Sequence, residues 1–415
     1  MAELANLNRE RLLERFLRYV KVNTTANAET DEYPSSQGQW ELGKIVLGEL
    51  QELGAEDAHV DDYGLVWGMI PGNVEGASTI AWNSHLDTSP ETTGDNVKPQ
   101  VIESYEGGDI PLPGDESKII TVAESPELKE LIGKTLITTD GTTLLGGDDK
   151  AGIAIIMEAA NYLMEHPEIP HGPIRILFTC DEEIGRGVNH VDIEKVGAVA
   201  AYTLDGGGAG DIDVETFSAD GLTVKVKGVN IHPSIAKDRM VNALRAAGAF
   251  LERLPADQAP ETTEDRAGFI HPYVLDGGVA EVTIKILLRD FDTAQLEVKA
   301  DLVRGIASQV EQDYPGISID VDHQKQYRNM ADGLPKEPRA VEFAKQAHDQ
   351  LNLEYRLSSI RGGTDGSMLT EKGLPTPNLS SGQHTQHSPL EWACLDEMIQ
   401  QGQVLIQTAV IWGQN

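Results

Sequence analysis

The chain has 415 residues, 40% hydrophobic and 24% charged, with 67 acidic against 33 basic residues and a formal net charge of −34. That length exceeds the roughly 250–300 residues at which single cores stop growing, so two domains, or one large domain carrying an insertion, are expected. A polyanion repels phosphate backbones and anionic lipid, which argues against nucleic acid and membrane partners.

No apolar run approaches the roughly 20 residues that cross a bilayer. The start, Met1-Ala-Glu-Leu, lacks the basic and apolar stretches of a secretory leader. Cys180 and Cys394 are too few for a disulfide framework, so a reducing cytoplasm is the expected location.

Leu12, Leu13, Phe16, Leu17 and Val20 recur at helical spacing across 9–21, and 40–53 repeats the pattern up to Gly54. Three short apolar runs then lead into polar clusters. Thr79–Trp82 leads into Ser84-His85-Leu86-Asp87, and Ile174–Thr179 leads through Cys180 into Asp181-Glu182-Glu183. Ala198–Leu204 ends directly at Asp205, and a helical segment, Ala151–His166, lies between the first two runs. Strands alternating with helices predict an α/β protein with a mixed, mainly parallel sheet flanked by helices. Ligands of such a sheet bind beyond the carboxyl ends of its strands, where all three clusters fall.

The pattern changes near residue 211. From Asp211 to about Val321 it reads strand, strand, helix, strand, helix, strand. Leu222–Gly228 alternates with period two, Val241–Leu254 is amphipathic, Val279–Arg289 alternates again, and Thr293–Tyr314 is a long helix stopped by Pro315-Gly316. The expectation is an α+β domain at 211–321, inserted into a discontinuous domain made of 1–210 and 322–415. A last helix is expected from about Glu391.

His85, Asp87, Asp148, Asp149, Glu182, Glu183, Asp205, His384 and His387 all sit at predicted strand ends or loops. Imidazole nitrogen with carboxylate oxygen and no thiolate suits zinc, cobalt or manganese in a hydrolytic site. Singly, each has an ordinary explanation: an Asp after a strand caps a turn or a helix, and a Glu-Glu pair faces solvent. The joint pattern carries the weight.

Ser84-His85-Leu86-Asp87-Thr88, Leu145-Gly-Gly-Asp148-Asp149-Lys150-Ala-Gly152 and Asp181-Glu182-Glu183-Ile-Gly185 resemble successive motifs of the M20 family of co-catalytic metallopeptidases. Asp205 and a late histidine follow in that family's order, and the likeness covers nearly the whole chain. Asn230-Ile-His232-Pro233, Met240-Val-Asn-Ala243, His271-Pro-Tyr273, Leu288-Arg-Asp-Phe-Asp292 and Ile360-Arg-Gly-Gly-Thr-Asp-Gly366 resemble its tripeptide-aminopeptidase branch. So does the long segment from Asp95 to Gly146.

The resemblance implies a catalytic domain with a ferredoxin-like lid inserted into it, and two zinc ions per chain, with cobalt or manganese as substitutes. Asp148 would bridge the metals, His85 and Asp205 completing one and Glu183 and His387 the other. Glu182 would be the general base for a hydroxide shared between them, and Asp87 would orient His85. His232, Arg289 and Arg361 would bind substrate: short unblocked peptides, chiefly tripeptides. A homodimer is the implied assembly. A dipeptidase or N-acyl amino acid deacylase activity, or a peptide-binding protein without turnover, are the competing expectations. The late motif here, Gly382-Gln-His384-Thr-Gln-His387, holds two histidines. His387 is preferred because Ser388 and Glu391-Trp392 fit the start of the helix that follows. Asp149 is assigned no ligand role, only capping of the helix before Ala151. Cys180 is assigned packing.

Overall fold

In the computed structural model, which describes residues 5–415, the chain divides into two units. One runs through Val214 and takes in Gly333–Ser358 and Thr364–Asn415; the other is Glu215–Asp332 with Ser359–Gly363. These limits differ from the expected 211 and 321 for visible reasons. Asp211–Thr216 pairs into the large sheet, Ile212 opposite Leu379, and the strand Ser318–Tyr327 continues past 321.

The first unit is built on a mixed sheet. Its middle strands, in spatial order Ile174–Thr179, Ile80–His85, Ala200–Gly207 and Asn378–His384, run parallel. Antiparallel strands extend both sides: Val66–Ile70 and Glu56–Val60 on one, Trp392–Cys394, Leu136–Thr138 and Gln100–Ile102 on the other. Ile80–His85 is buried at every position, as expected of a parallel strand covered on both faces. Alternate residues enter different cores. Ile80 and Trp82 join Ile153, Ile156 and Trp412, whereas Ala81 joins Leu177, Ala201 and Leu369. Helix Gln37–Leu53 stops at Gly54, whose φ of +82° lets its N–H return to Leu50 and Gln51.

In the second unit the strands Phe269–Gly277, Glu281–Asp290, Ser218–Lys227 and Ser318–Tyr327 form one antiparallel sheet in that order. Leu222, Val224, Val226, Val282, Ile284, Ile286 and Leu288 are buried with Phe250, Ala300 and Val303 of the helices Ala243–Glu252 and Ala294–Asp313. Along the chain this gives β-α-β-β-α-β. The strand Phe269–Gly277 corrects the expected pattern. Pro272 interrupts its register and most of its residues are partly or fully exposed, as an edge strand allows. The last helix is also displaced: Trp392–Cys394 is a buried strand, and the helix is Leu395–Gly413. Among the described residues no helix is long and apolar enough to cross a membrane.

Candidate active site

The parallel strands end where the polar clusters begin. His85 closes its strand, Asp205 lies near the end of the next, and Glu182 and Glu183 form a short turn after Thr179. Asp148 stands in the first turn of Gly147–Glu165, with non-helical dihedrals and a cis bond to Asp149. Asp148 Oδ1 lies 2.9 Å from His85 Nε2, and its Oδ2 lies 3.3 Å from His387 Nε2. Glu183 Oε2 is 3.0 Å from the same His387 nitrogen, and Asp205 Oδ1 is 3.8 Å from His85 Nε2.

Each imidazole also meets a carboxylate with its other nitrogen. His85 Nδ1 is 3.4 Å from Asp87 Oδ1, and His387 Nδ1 is 3.2 Å from Glu91 Oε2. The Thr92 hydroxyl donates to the His387 carbonyl at 2.7 Å. Asp87 further accepts the backbone N–H groups of Glu182 and Glu183, both at 3.0 Å.

Two groups of side chains bring ligating atoms within 4.8 Å of one another: His85, Asp148 and Glu183, and His85, Asp149 and Asp205. The electrostatics suit a cation. Burial, reinforced by Asp148, pushes Glu183 up to about 8, and the same two causes push Asp205 up to about 7. Burial also raises Glu182 well above the carboxylate range; His85 opposes this, and Asp205, Asp365 and Glu183 add to it. Burial acts on Asp148 likewise, but hydrogen bonds from His387 and His85 outweigh it and hold the group below the usual range. His387 is pulled down by burial and lifted to about 11 by Asp148 and Glu183. Buried carboxylates outnumber the imidazoles, and Glu183 Oε1 and Asp149 Oδ1 have no hydrogen-bond partner among the described residues. Divalent cations held by nitrogen and oxygen donors fit that excess of negative charge.

Asp149 does not cap its helix. It is fully buried, accepts from the Ser84 hydroxyl, and takes the His85 N–H at 3.2 Å. The sequence marks Glu391 only as the start of a helix, yet it is buried and accepts the N–H groups of Leu145, Gly146 and Asp148. No local pattern marks either role, because both partners lie far along the chain. His384 stands apart from the cluster, stacked on Trp392 at 3.8 Å and 2.7 Å from Glu397. Cys180 is buried, its thiol against the Gly64 carbonyl.

His232, Arg289 and Arg361 belong to the second unit. His232 is near the surface and caps the turn Pro233–Ile235 through Ser234. Arg289 donates to the carbonyls of Asp220 and Leu288 and lies over the Tyr327 ring. Arg361 donates to the carbonyls of Thr263, Asp265 and Ala267 and lies over Phe217 and Phe269. Among the described residues, neither arginine pairs with a carboxylate.

Carboxylates and imidazoles converging beyond the ends of parallel strands define an α/β protein with a candidate metal centre. Residues 140–410 match the model of peptidase family M20/M25/M40. Peptidase T of Geobacillus thermodenitrificans is 43% identical over 407 residues, 98% of this chain and 99% of that one. Peptidase T of Listeria monocytogenes is 43% identical over 402 residues, covering 97% and 98%. The chain belongs to the M20/M25/M40 family. The aminopeptidase PepT from Bacillus cereus shares the fold, with a TM-score of 0.75 over 99% of this chain and 100% of that one at 24% identity. So does a dinuclear metal-binding M20 peptidase from Bacillus subtilis, with a TM-score of 0.65 at 16% identity over 97% and 98%.

Proposed function

We propose that the chain is a metallo-aminopeptidase that removes the N-terminal residue from short unblocked peptides, chiefly tripeptides. The observation that carries this is Asp148, one carboxylate whose two oxygens face two separate imidazole nitrogens at 2.9 and 3.3 Å. Near full-length likeness to proteins named Peptidase T supports the substrate class. Asp148 with His85 and Asp205 would hold one zinc ion, and Asp148 with Glu183 and His387 a second; cobalt or manganese accepts the same donors. Bound there, such cations supply Lewis acidity toward a peptide carbonyl and toward water. Glu182 would take a proton from the attacking water on a carboxylate oxygen and pass it to the leaving amine, as the water oxygen bonds the carbonyl carbon and the C–N bond breaks. Asp87, bonded to the N–H groups of Glu182 and Glu183 and lying beside His85, orients base, ligand and imidazole together.

Substrate recognition is assigned to Arg289 and Arg361 for the peptide carboxylate and to His232 for the developing oxyanion. Arg361 already serves three carbonyl groups, so Arg289 is the stronger candidate of the pair. A cytoplasmic homodimer is the setting implied. The test is a panel of unblocked di-, tri- and tetrapeptides and N-acyl amino acids, with metal analysis. Tripeptides should lose their N-terminal residue fastest, and a chelator should abolish activity that zinc, cobalt or manganese restores. Glu182→Gln should keep its metal while turnover falls roughly 10²–10⁴-fold. Preference for N-acyl amino acids would replace the aminopeptidase assignment with a deacylase, and an unchanged rate in Glu182→Gln would remove that residue as the base.

A further inference from the structure

We propose that Glu391 is a positioning residue that sets Asp148 for metal binding by gripping its backbone rather than its side chain. The proposal rests on the assignment of the cluster as a metal site. Glu391 is 1% exposed and immediately precedes the buried strand Trp392–Cys394. Its Oε2 accepts the N–H groups of Leu145 and Gly146, each at 2.8 Å, and its Oε1 accepts that of Asp148 at 3.1 Å. The backbone there is not regular helix: Gly146 has φ +81°, and Asp148 and Asp149 have non-helical dihedrals. These amides precede the helical ladder and need an acceptor from elsewhere. A carboxylate at the start of a helix also suits the positive end of its dipole.

Gly147 completes the fit. A Cβ at that position would stand 3.1 Å from Glu391 Oε1, tighter than ordinary contact. The turn therefore closes its backbone around the carboxylate. Asp148 divides its oxygens between His85 and His387, so a small rotation of its peptide would disturb both contacts at once. Glu391 opposes that rotation through the Asp148 N–H and the two amides before it.

Charge alone makes a different prediction from position. Zinc affinity of the metal-free full chain is measured by competition with a chromophoric chelator, beside circular dichroism, for wild type, Glu391→Gln, Glu391→Asp and Gly147→Ala. Glu391→Gln replaces one acceptor oxygen with a donor, and Glu391→Asp keeps the charge but withdraws both oxygens by one methylene. Both should bind zinc about 10–100-fold more weakly, the range for lost supporting contacts around a metal. Gly147→Ala, which crowds Oε1 and alters neither charge nor length, should weaken binding less. Wild-type affinity in Glu391→Asp would mean that charge alone acts, and the proposal falls. Lower melting temperature with unchanged affinity in every folded variant would make Glu391 a purely structural cap, and it falls again. Should Glu391→Gln not fold, the other two variants decide. A wild-type chain that takes up no zinc, cobalt or manganese overturns the metal-site assignment and this inference with it.

Discussion

Asp148 presents its oxygens to His85 and His387, whereas Asp149, one residue on, turns to the Ser84 hydroxyl and the His85 backbone. Sequence separates the two only by motif, since both are aspartates before an apolar helix. Burial, with Asp205 nearby, raises Asp149 well above the carboxylate range, and one of its oxygens has no hydrogen-bond partner among the described residues. Its value to the fold is as an acceptor behind the strand that carries His85. Asp149→Ala should therefore destabilise the chain by about 1–3 kcal/mol, because the buried His85 N–H loses this acceptor, while the Ser84 hydroxyl keeps only the Asp149 carbonyl at 3.0 Å. A thermal melt matching wild type would show that the side chain supports nothing.

At the scale of elements, the helix Gly147–Glu165 holds its place by close approach to the neighbouring strand. A Cβ on Gly152 would lie 2.3 Å from the Leu204 carbonyl oxygen and 2.5 Å from Asp149 Oδ1. Alanine is the better helix former by about 1 kcal/mol, yet the collision is with backbone that cannot step aside. Gly152→Ala should lower stability in urea unfolding by about 1–3 kcal/mol, and a gain in midpoint would refute the close-packing argument. Much of this architecture was legible beforehand, because a buried parallel strand is a short, largely apolar run that passes into polar residues at its carboxyl end. Ile80–His85 and Ile174–Thr179 are of that kind. The strand Phe269–Gly277 was not legible, since an edge strand with one proline and many exposed positions has no apolar signature. Trp392–Cys394 merged with the helix behind it because three apolar residues fit either period. Glu391 and Asp149 act on backbone groups distant in sequence, which composition and spacing do not encode.

For the whole molecule, acid tolerance depends on more than the surface excess of carboxylates. His348 is buried on the helix Arg339–Leu351; its Nδ1 donates to the Ala344 carbonyl at 2.8 Å, and its Nε2 has no partner among the described residues. Burial lowers its pKa, with the Ala344 hydrogen bond and Asp349 opposing. An unfolded histidine titrates near about 6.5, so the unfolded chain binds the proton first. The stability His348 contributes is complete above that value and is lost as pH falls through the folded pKa. Replacing it with leucine should flatten the pH dependence of unfolding below neutrality, by at most about 1.4 kcal/mol per pH unit for one proton. Parallel curves for His348→Leu and wild type would exclude the histidine as a source of acid sensitivity.

The discontinuous first unit also imposes an order on synthesis. His85, Asp148, Glu183 and Asp205 precede the segment Glu215–Asp332, while His387 and Glu391 follow it. At about 5–20 residues per second, a ribosome spends roughly ten seconds on that intervening segment. Throughout that interval the nascent chain carries a half-built cluster of acids, with neither His387 nor Glu391 yet made. At the proposed metal site, capture would therefore belong to the end of translation, once His387 has been made.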